Sequence, residues 1–213
     1  MIIHGGAPSP FVRKVMVACD EKGLSYEDKM LIPFPKTPEF IKMNPLGKIP
    51  ILEISDGRYI SDSSVICAYL EKVHPEPALM PEDPYEYAQA LFIEEYCDTK
   101  LIEGIGAIYF ERFIKVKVFN GEADEAAVEK QIAEGLEPVL DQVEGMIPEK
   151  AGPLLDSGFS LADVAFGAQL SSLKLAGVEI DAGRSPRVRA YSDWILARPS
   201  FQTVLDKAEG SSA

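Results

Sequence analysis

The stretch that decides the fold reads Asn44-Pro45-Leu46-Gly47-Lys48-Ile49-Pro50-Ile51-Leu52-Glu53-Ile54 and, after a turn at 55–57, Tyr59-Ile60-Ser61-Asp62-Ser63-Ser64-Val65-Ile66. It predicts a loop, two short strands and a helix. Proline is tolerated at the first residue of a strand or at a cis bond, so Pro50 marks the start of the first strand. A cis bond there leaves the amide and carbonyl of Ile49 free to pair with an outside peptide. Asp62 opens the helix, whose end offers N–H groups and partial positive charge to an anion. Together these features predict a receptor for a small acidic peptide.

Composition is that of an ordinary soluble protein and excludes several classes of function. The 213 residues are 46% hydrophobic and 26% charged, which suits one large domain or two small ones. No apolar run approaches the ~20 residues needed to span a bilayer, and the first residues lack the features of a signal peptide. The formal charge of −13 argues against nucleic acid, which binds a basic face. We therefore expect a cytoplasmic protein that binds neither nucleic acid nor membrane.

The cysteines give no sign of a metal or of a disulfide framework. Cys19, Cys67 and Cys97 are far apart and odd in number, and their spacing matches no common set of metal ligands. The sequence therefore predicts no metal cofactor.

A helix is expected shortly after the N-terminus. Ser9 and Pro10 have the preferred order for a helix N-cap and first helical residue, and Gly23 ends the element. The expected buried positions at helical spacing are Phe11, Val12, Val15, Met16 and Cys19.

The remaining residues before Asn44 complete a small α/β domain. Met1–His4 and residues 25–31 are predicted strands, and Thr37-Pro38 begins a short helix that runs to Met43. The order βαβ, short helix, ββα predicts a thioredoxin-like domain over residues 1–76, with a four-stranded mixed sheet as its core.

Beyond a proline-rich linker at 77–83, the pattern becomes all-helical over residues 84–213. A long helix is expected from about Pro84 toward Lys117, interrupted or bent around Gly104 and Gly106. The fold class predicted for the whole chain is therefore α/β followed by all-α.

The rest of this helical region contains three recognisable signals. Pro138 should kink a helix that runs from about Asp124 to Met146. Ser160 and Asp163 have the spacing of a capping box. Two shorter helices are expected at 187–197 and 199–207.

Two motifs of this chain resemble the glutathione-binding half of the cytosolic glutathione transferases. These are Asn44-Pro45-x-Gly47-Lys48-Ile49-Pro50 and Asp62-Ser63-x-x-Ile66-x-x-Tyr69-Leu70. The two-domain order, the capping box near residue 160 and the closing segment 197–201 also match this family, so the resemblance covers essentially the whole chain. It implies a homodimer that uses glutathione as co-substrate.

Ser9 is the candidate catalytic residue. A thiol of pKa ~8.5 is only a few per cent thiolate at neutral pH, and a hydroxyl that donates to sulfur at a helix N-terminus favours the thiolate. The segment from Ser9 to Arg13 resembles the active-site segment of serine-type, tau-like and related bacterial transferases. Omega and beta members carry cysteine at this position, and here Cys19 reads as a core residue instead. The alternative is that Ser9 only caps its helix.

The resemblance also assigns the residues that hold glutathione. It places the cysteinyl unit against the Ile49 backbone beside Pro50. Asp62, where the family more often has glutamate, would bind the γ-glutamyl ammonium, and Ser63 its α-carboxylate. Lys36 and Lys48 are candidates for the glycine carboxylate, and with two helix N-termini they would make the site locally positive. A second-substrate pocket is expected between the domains, with the candidate lining residues Phe11, Phe34 and Phe110.

The leading functional interpretation is a glutathione S-transferase that adds the thiolate to an electrophilic, fairly apolar substrate. One alternative is a transferase-like interaction protein without activity. The combined presence of Ser9, Pro50, Asp62 and Ser63 favours the enzyme, because an interaction module needs no complete ligand site. A glutathione-dependent peroxidase or dehalogenase would use the same residues, and the sequence does not name the electrophile.

Overall fold

A computed structural model describes residues 1–55 and 57–211 of the chain. Asp56, the middle residue of the predicted turn, and the last two residues of the small-residue tail lie outside the described residues. The chain divides into two compact units, one from Met1 to Leu79 and one that begins at Met80.

The first unit contains the four-stranded mixed sheet predicted from the sequence. Its strands are β1 (Ile2–His4), β2 (Glu27–Lys29), β3 (Ile51–Glu53) and β4 (Tyr59–Ser61). They lie in the order β2-β1-β3-β4, with β1 parallel to β2 and every other pair antiparallel. In the central pairs, Leu52 lies opposite Ile3 on one side and Ile60 on the other.

The second strand is shorter than the predicted 25–31. Only Glu27–Lys29 pair with β1, and all three residues are exposed. The strand lies at the edge of the sheet, where β1 is its one neighbour. Edge strands are often short.

Three helices complete this unit: α1 (Pro10–Glu21), α2 (Pro38–Met43) and α3 (Ser63–Val73). Their starts are those predicted: Ser9 is the N-cap of α1, and the Thr37 hydroxyl accepts from the N–H of Phe40 at 3.2 Å. One detail of α1 differs from the expected apolar face, because Phe11 is only half-buried whereas Arg13 and Lys14 are buried.

The second unit is helical throughout its regular elements. The helices are α4 (Pro84–Tyr96), α5 (Ile102–Tyr109), α6 (Glu125–Gln131), α7 (Glu137–Glu144), α8 (Leu161–Leu175), α9 (Pro186–Leu196) and α10 (Pro199–Gly210). Three π-helical segments, Cys97–Leu101, Phe110–Val118 and Ile132–Leu136, join some of them. The core is centred on α8, whose first 13 residues are all buried and which contacts α4, α5, α9 and α10.

The predicted long helix is interrupted on either side of the two glycines rather than at them. Gly104 and Gly106 both lie within the regular α5, and the hydrogen-bond pattern changes instead at Cys97–Leu101 and at Phe110–Val118. A Cβ on Gly104 would lie 3.3 Å from the carbonyl oxygen of Gly135, so Gly104 permits two helices to approach closely rather than bending one.

The helix expected over 124–146 changes its hydrogen-bond pattern close to Pro138, where the sequence predicts a kink. The π-helical segment Ile132–Leu136 ends two residues before Pro138, which lies in the first turn of α7. A proline there has no N–H to donate into the preceding turn, so a change of hydrogen-bond spacing at this place is expected. No helix among the described residues has the length and apolar character that crossing a bilayer requires.

The predicted capping box at the start of α8 is confirmed. The N–H of Ser160 donates to Asp163 Oδ2 at 2.9 Å. Asp163 is fully buried, and its other oxygen accepts from the Leu154 N–H at 3.0 Å and the Tyr191 hydroxyl at 2.9 Å. Burial raises the pKa of this carboxyl, against the lowering effect of those hydrogen bonds.

Candidate functional site

The topology of the first unit brings three predicted parts of the site to one end of its sheet. His4, Ile51 and Ser61 lie side by side across β1, β3 and β4. The segment that leads to Ser9 follows His4, the Ile49–Pro50 peptide precedes Ile51, and Asp62 follows Ser61. Because these three connections leave neighbouring strands at the same end, they lie close together in space.

Gly5 shows how close this approach is. It has φ +140°, and a Cβ at this position would lie 2.6 Å from Val12 Cγ2 and 3.3 Å from Ile49 Cβ. Only glycine fits this backbone conformation in this space. The turn after β1 therefore packs directly against the residue that precedes Pro50.

Ser9 lies at the positive end of α1 with a hydroxyl that takes no part in capping. Its backbone is extended, with φ −82° and ψ 126°, and no side-chain cap bond is formed. Its N–H donates to the Gly6 carbonyl at 2.8 Å, and its carbonyl accepts from the Arg13 N–H at 2.9 Å. Ser9 is half-buried, so the helix end and the side chain both remain available to an added anion.

Two buried cations beneath this end were missed by the sequence analysis. Arg13 Nη1 donates to the carbonyls of Ala7 at 2.8 Å and Pro8 at 3.1 Å. The Lys14 ammonium donates to Ser64 Oγ at 3.3 Å. The apolar periodicity of α1 assigned only hydrophobic residues to its buried face, and it carries no signal for a buried charge.

The loop before Pro50 is closed by Asn44, which is almost fully buried. Its side-chain amide donates to the Lys48 carbonyl at 2.7 Å, and its Oδ1 accepts from the Leu46 N–H at 2.9 Å. Gly47 has φ +62°, a conformation that favours glycine. The Ile49–Pro50 peptide that follows is cis. Asn44 thus sets the backbone that leads into Ile49, a role that the sequence analysis did not assign to it.

Asp62 opens α3, as predicted. Its backbone has φ 79° and ψ 132°, and its Oδ1 accepts from the N–H groups of Ser64 at 2.9 Å and Val65 at 3.3 Å. The side chain is exposed, while Ser63, the first helical residue, is buried. The cap uses Oδ1, so the arrangement leaves a carboxylate edge at the surface beside the start of the helix.

The two predicted lysines differ in their surroundings. Both are exposed, but the Lys36 side chain lies over the 44–48 loop: a Cβ on Gly47 would be 3.0 Å from Lys36 Nζ. Lys36 therefore belongs to the edge of the site through this loop, and Lys48 belongs to the loop itself.

The three phenylalanines predicted for a second-substrate pocket are at least partly accessible. Phe34 and Phe110 are exposed, and Phe11 is half-buried. Phe11 and Phe34 belong to the first unit. Phe110 belongs to the second, where its ring centroid lies 6.4 Å from that of Phe119.

The prediction that Cys19 is a core residue is confirmed. Burial raises the pKa of Cys19 to about 12, so this thiol is not ionised at neutral pH and packs as a small apolar side chain. Cys67 and Cys97 are also buried. Among residues 1–55 and 57–211, no group of three or more histidine, cysteine or acidic side chains could hold a metal ion.

Comparison with known proteins gives consistent matches over most of the chain. Residues 8–73 match the N-terminal domain family of glutathione S-transferases. The probable glutathione S-transferase BZ2 of Zea mays is 32% identical, over 98% of this chain and 92% of its own length.

Two solved structures are similar along nearly their whole length. A glutathione S-transferase from Rhodospirillum rubrum is 28% identical with a TM-score of 0.82, over 95% of this chain and 90% of its own. One from Methylobacterium radiotolerans, in complex with glutathione sulfonate, is 29% identical with a TM-score of 0.76, over 96% of this chain and 93% of its own.

Proposed function

This chain belongs to the glutathione S-transferase family, and from that premise we propose that it is a serine-type member in which Ser9 activates the glutathione thiol. Glutathione is the co-substrate, and the thiolate attacks the electrophilic centre of a fairly apolar second substrate. The observation that carries the proposal is the Ser9 hydroxyl, at the N-terminus of α1 and without a capping bond, at the sheet end that also holds Pro50 and Asp62.

Ser9 favours the thiolate in two ways. Its hydroxyl donates a hydrogen bond to the sulfur, and the N–H groups of the first turn of α1 add partial positive charge. One pKa unit of preference for the charged form corresponds to about 1.4 kcal/mol. The thiol proton leaves to solvent, and a sulfur electron pair then forms the bond to the electrophile. The electrons of the bond that breaks leave with a leaving group or, in an addition, pass to a neighbouring atom that takes up a proton from solvent.

The rest of glutathione extends from Ser9 toward α3. The Ile49 backbone beside Pro50 pairs with the cysteinyl unit, as an added strand pairs with a sheet edge. The exposed Asp62 carboxylate binds the γ-glutamyl ammonium. Ser63, at the first position of α3, binds the α-carboxylate through its N–H and hydroxyl.

The glycine end carries the second carboxylate of glutathione. We assign it to Lys36 and Lys48, of which Lys36 lies over Gly47. Phe11, Phe34 and Phe110 are the proposed apolar residues for the second substrate.

The test of this function combines binding and chemistry. Titration calorimetry with glutathione measures affinity, and a panel of electrophiles measures conjugation by the loss of free thiol. We expect glutathione to bind and at least one electrophile class to be conjugated. Absence of glutathione binding at millimolar concentration contradicts the proposal.

The proposed enzyme is a cytoplasmic homodimer. In the second unit, α4 exposes four large side chains, Tyr85, Tyr87, Leu91 and Phe92, the first of them 73% exposed. Exposed apolar surface of this kind is typical of an interaction site, and a second copy of the chain is the partner we propose. Light scattering should give about twice the 23.3 kDa of one chain; the mass of a single chain at micromolar concentration contradicts the dimer.

A further inference from the structure

Arg13 is an unusual side chain for the interior of a small domain. It is 0% exposed, although a buried guanidinium loses its hydration and is tolerated only with hydrogen-bond partners. Two of those partners lie at the site: Nη1 donates to the carbonyls of Ala7 at 2.8 Å and of Pro8 at 3.1 Å. These carbonyls belong to the two residues that immediately precede Ser9.

The contacts of Ser9 show what these two hydrogen bonds hold in place. The Ser9 N–H is tied to the Gly6 carbonyl at 2.8 Å, so the chain turns sharply between Gly6 and Ser9. Arg13 donates to the carbonyls of the two residues in the middle of that turn, Ala7 and Pro8. The turn is therefore held across its ends and at its middle, which fixes the backbone from which the Ser9 side chain projects.

We propose that Arg13 is a positioning residue for catalysis, which holds the Ala7–Pro8 turn so that the Ser9 hydroxyl points at the glutathione sulfur. The proposal rests on the function proposed above. A guanidinium suits this task, because the two hydrogens of Nη1 lie in fixed directions in its rigid plane, whereas an ammonium rotates freely. Without it the turn relaxes, the hydrogen bond from Ser9 to sulfur lengthens, and the thiolate is less favoured.

Lys22 offers a matched control on the same helix. It is also buried, at 5% exposed, and its ammonium likewise donates to two carbonyls, those of His74 and Pro77, at 2.8 Å each. It also pairs with Glu71 at 2.6 Å. Lys22 lies at the C-terminal end of α1, whereas Ser9 lies at the N-terminal end. Replacing either residue removes a buried cation, but of the two only Arg13 contacts the turn before Ser9.

The experiment compares Arg13→Met, Arg13→Lys and Lys22→Met with the parent protein. The first measurement is the pH dependence of kcat/KM for the electrophile, with the enzyme saturated by glutathione. The second is the ultraviolet absorbance of the bound thiolate as a function of pH. For Arg13→Met we expect the rising limb of both curves to move about one unit to higher pH. At any pH on the rising limb, this shift corresponds to about a tenfold loss of kcat/KM. The KM for glutathione should change less than about threefold.

The other two variants separate charge from geometry. Arg13→Lys keeps the positive charge and loses the rigid plane, so its curves should lie between those of the parent and Arg13→Met. Lys22→Met should unfold at lower denaturant concentration and keep the parent's pH curves. This pattern assigns the shift to the Ser9 turn rather than to general loss of stability.

Three results overturn the inference. The first is an Arg13→Met variant with the parent's pH curves and a kcat reduced only in proportion to its folded fraction. If Arg13→Met does not fold, Arg13→Lys with the parent's curves is the second. A Lys22→Met variant that shifts as far as Arg13→Met is the third. A parent protein that neither binds nor conjugates glutathione contradicts the proposed function itself, which is a different and recognisable outcome.

Discussion

Helices α1 and α8 both begin at a serine, and the structure uses these two serines in opposite ways. At α8, Ser160 is buried, and both its N–H and its hydroxyl donate to Asp163 Oδ2, at 2.9 and 3.3 Å. At α1, Ser9 is half-buried and makes no side-chain cap bond. One helix start is closed by its own side chains, and the other remains open to a ligand.

The difference between the two starts comes from one position. Three residues after Ser160 comes Asp163, whereas three residues after Ser9 comes Val12, and the first turn of α1 holds no acidic residue. An acidic side chain at that position would bond the backbone of its own helix and repel an added anion. A serine start without an acidic partner is therefore suited to bind an anion, and a serine start with one is suited to stability.

The largest expected effect is at Ser9. Ser9→Ala should lower kcat for conjugation by about 10²- to 10³-fold, the usual result of removing one preorganised donor to a developing anion. Glutathione affinity should change little, because most proposed contacts lie on the side of Pro50 and Ser63. The free energy of unfolding should stay within about 0.5 kcal/mol of the parent, since no cap bond is lost. If Ser9→Ala conjugates at the parent rate with the same pH profile, Ser9 has no catalytic role and is only the residue at which α1 begins.

Ser9→Cys sharpens the same test. A cysteine at a helix N-terminus has a lowered pKa, and its thiolate can attack glutathione disulfide to form a mixed disulfide and release one glutathione thiolate, which a serine cannot do. We expect this variant to lose most conjugation and to gain glutathione-dependent thiol–disulfide exchange. Mass spectrometry of the protein should find a glutathione adduct on the variant, and Ser9→Ala should show none.

Asp163→Ala should have the second largest effect, on stability rather than on activity. It leaves the Ser160 N–H, the Leu154 N–H and the Tyr191 hydroxyl without their acceptor, and each buried unpaired donor costs about 1–3 kcal/mol. We expect a loss of about 3 kcal/mol in urea unfolding, with unchanged glutathione affinity in the folded fraction. The control Tyr191→Phe removes a single donor and should cost about 1 kcal/mol. A loss of affinity without a loss of stability would place Asp163 in the ligand site instead.

The same carboxyl predicts a dependence of stability on pH. Burial raises its folded pKa above the ordinary value of 3.8, so the folded protein holds this proton more tightly than the unfolded chain does. The associated stabilisation is present below that ordinary value and is lost as the pH rises through the folded pKa. The stability difference between the parent and Asp163→Ala should therefore shrink as the pH rises from about 4 toward neutrality. A difference that grows over this range contradicts the direction of the shift.

Asp62→Asn should have a smaller and more selective effect. Asparagine keeps the capping oxygen and tolerates positive φ, so stability should remain close to that of the parent. The charge that binds the γ-glutamyl ammonium is lost, and glutathione affinity should fall about tenfold, or about 1.4 kcal/mol. Calorimetry that finds equal affinities would remove Asp62 from the proposed site.

The smallest expected effect is at the surface lysines. Lys36→Met should weaken glutathione binding by less than about 1 kcal/mol, because exposed charge pairs contribute little. The difference from the parent should shrink further at high salt. A difference that is independent of salt would indicate that Lys36 acts by packing on Gly47 rather than by charge.

Features encoded within a few residues could be predicted well. The starts of α1, α2, α3 and α8, the place of Pro50 before β3 and the four-stranded mixed sheet all followed from caps, prolines and periodicity. The helix starts and the place of Pro50 depend on residues no more than four apart, and the sheet followed from the order of the elements along the chain. The proposed roles of Ser9, Asp62 and Ser63 remain predictions, although the sheet register brings their segments together.

Only the tertiary structure decided which groups bond the buried polar side chains and how long each helix and strand is. The sequence alone determined that Ser9 begins a helix and that its first turn lacks an acidic residue. That Arg13 folds back under Ala7 and Pro8, and that Tyr191 completes the bonding of Asp163 from 28 positions away, could not be predicted from it. The physical reason is that local propensity depends on the residues of one helix or strand, whereas a buried polar group is tolerated only where segments outside that element supply its hydrogen bonds, and the packed fold alone brings those segments together.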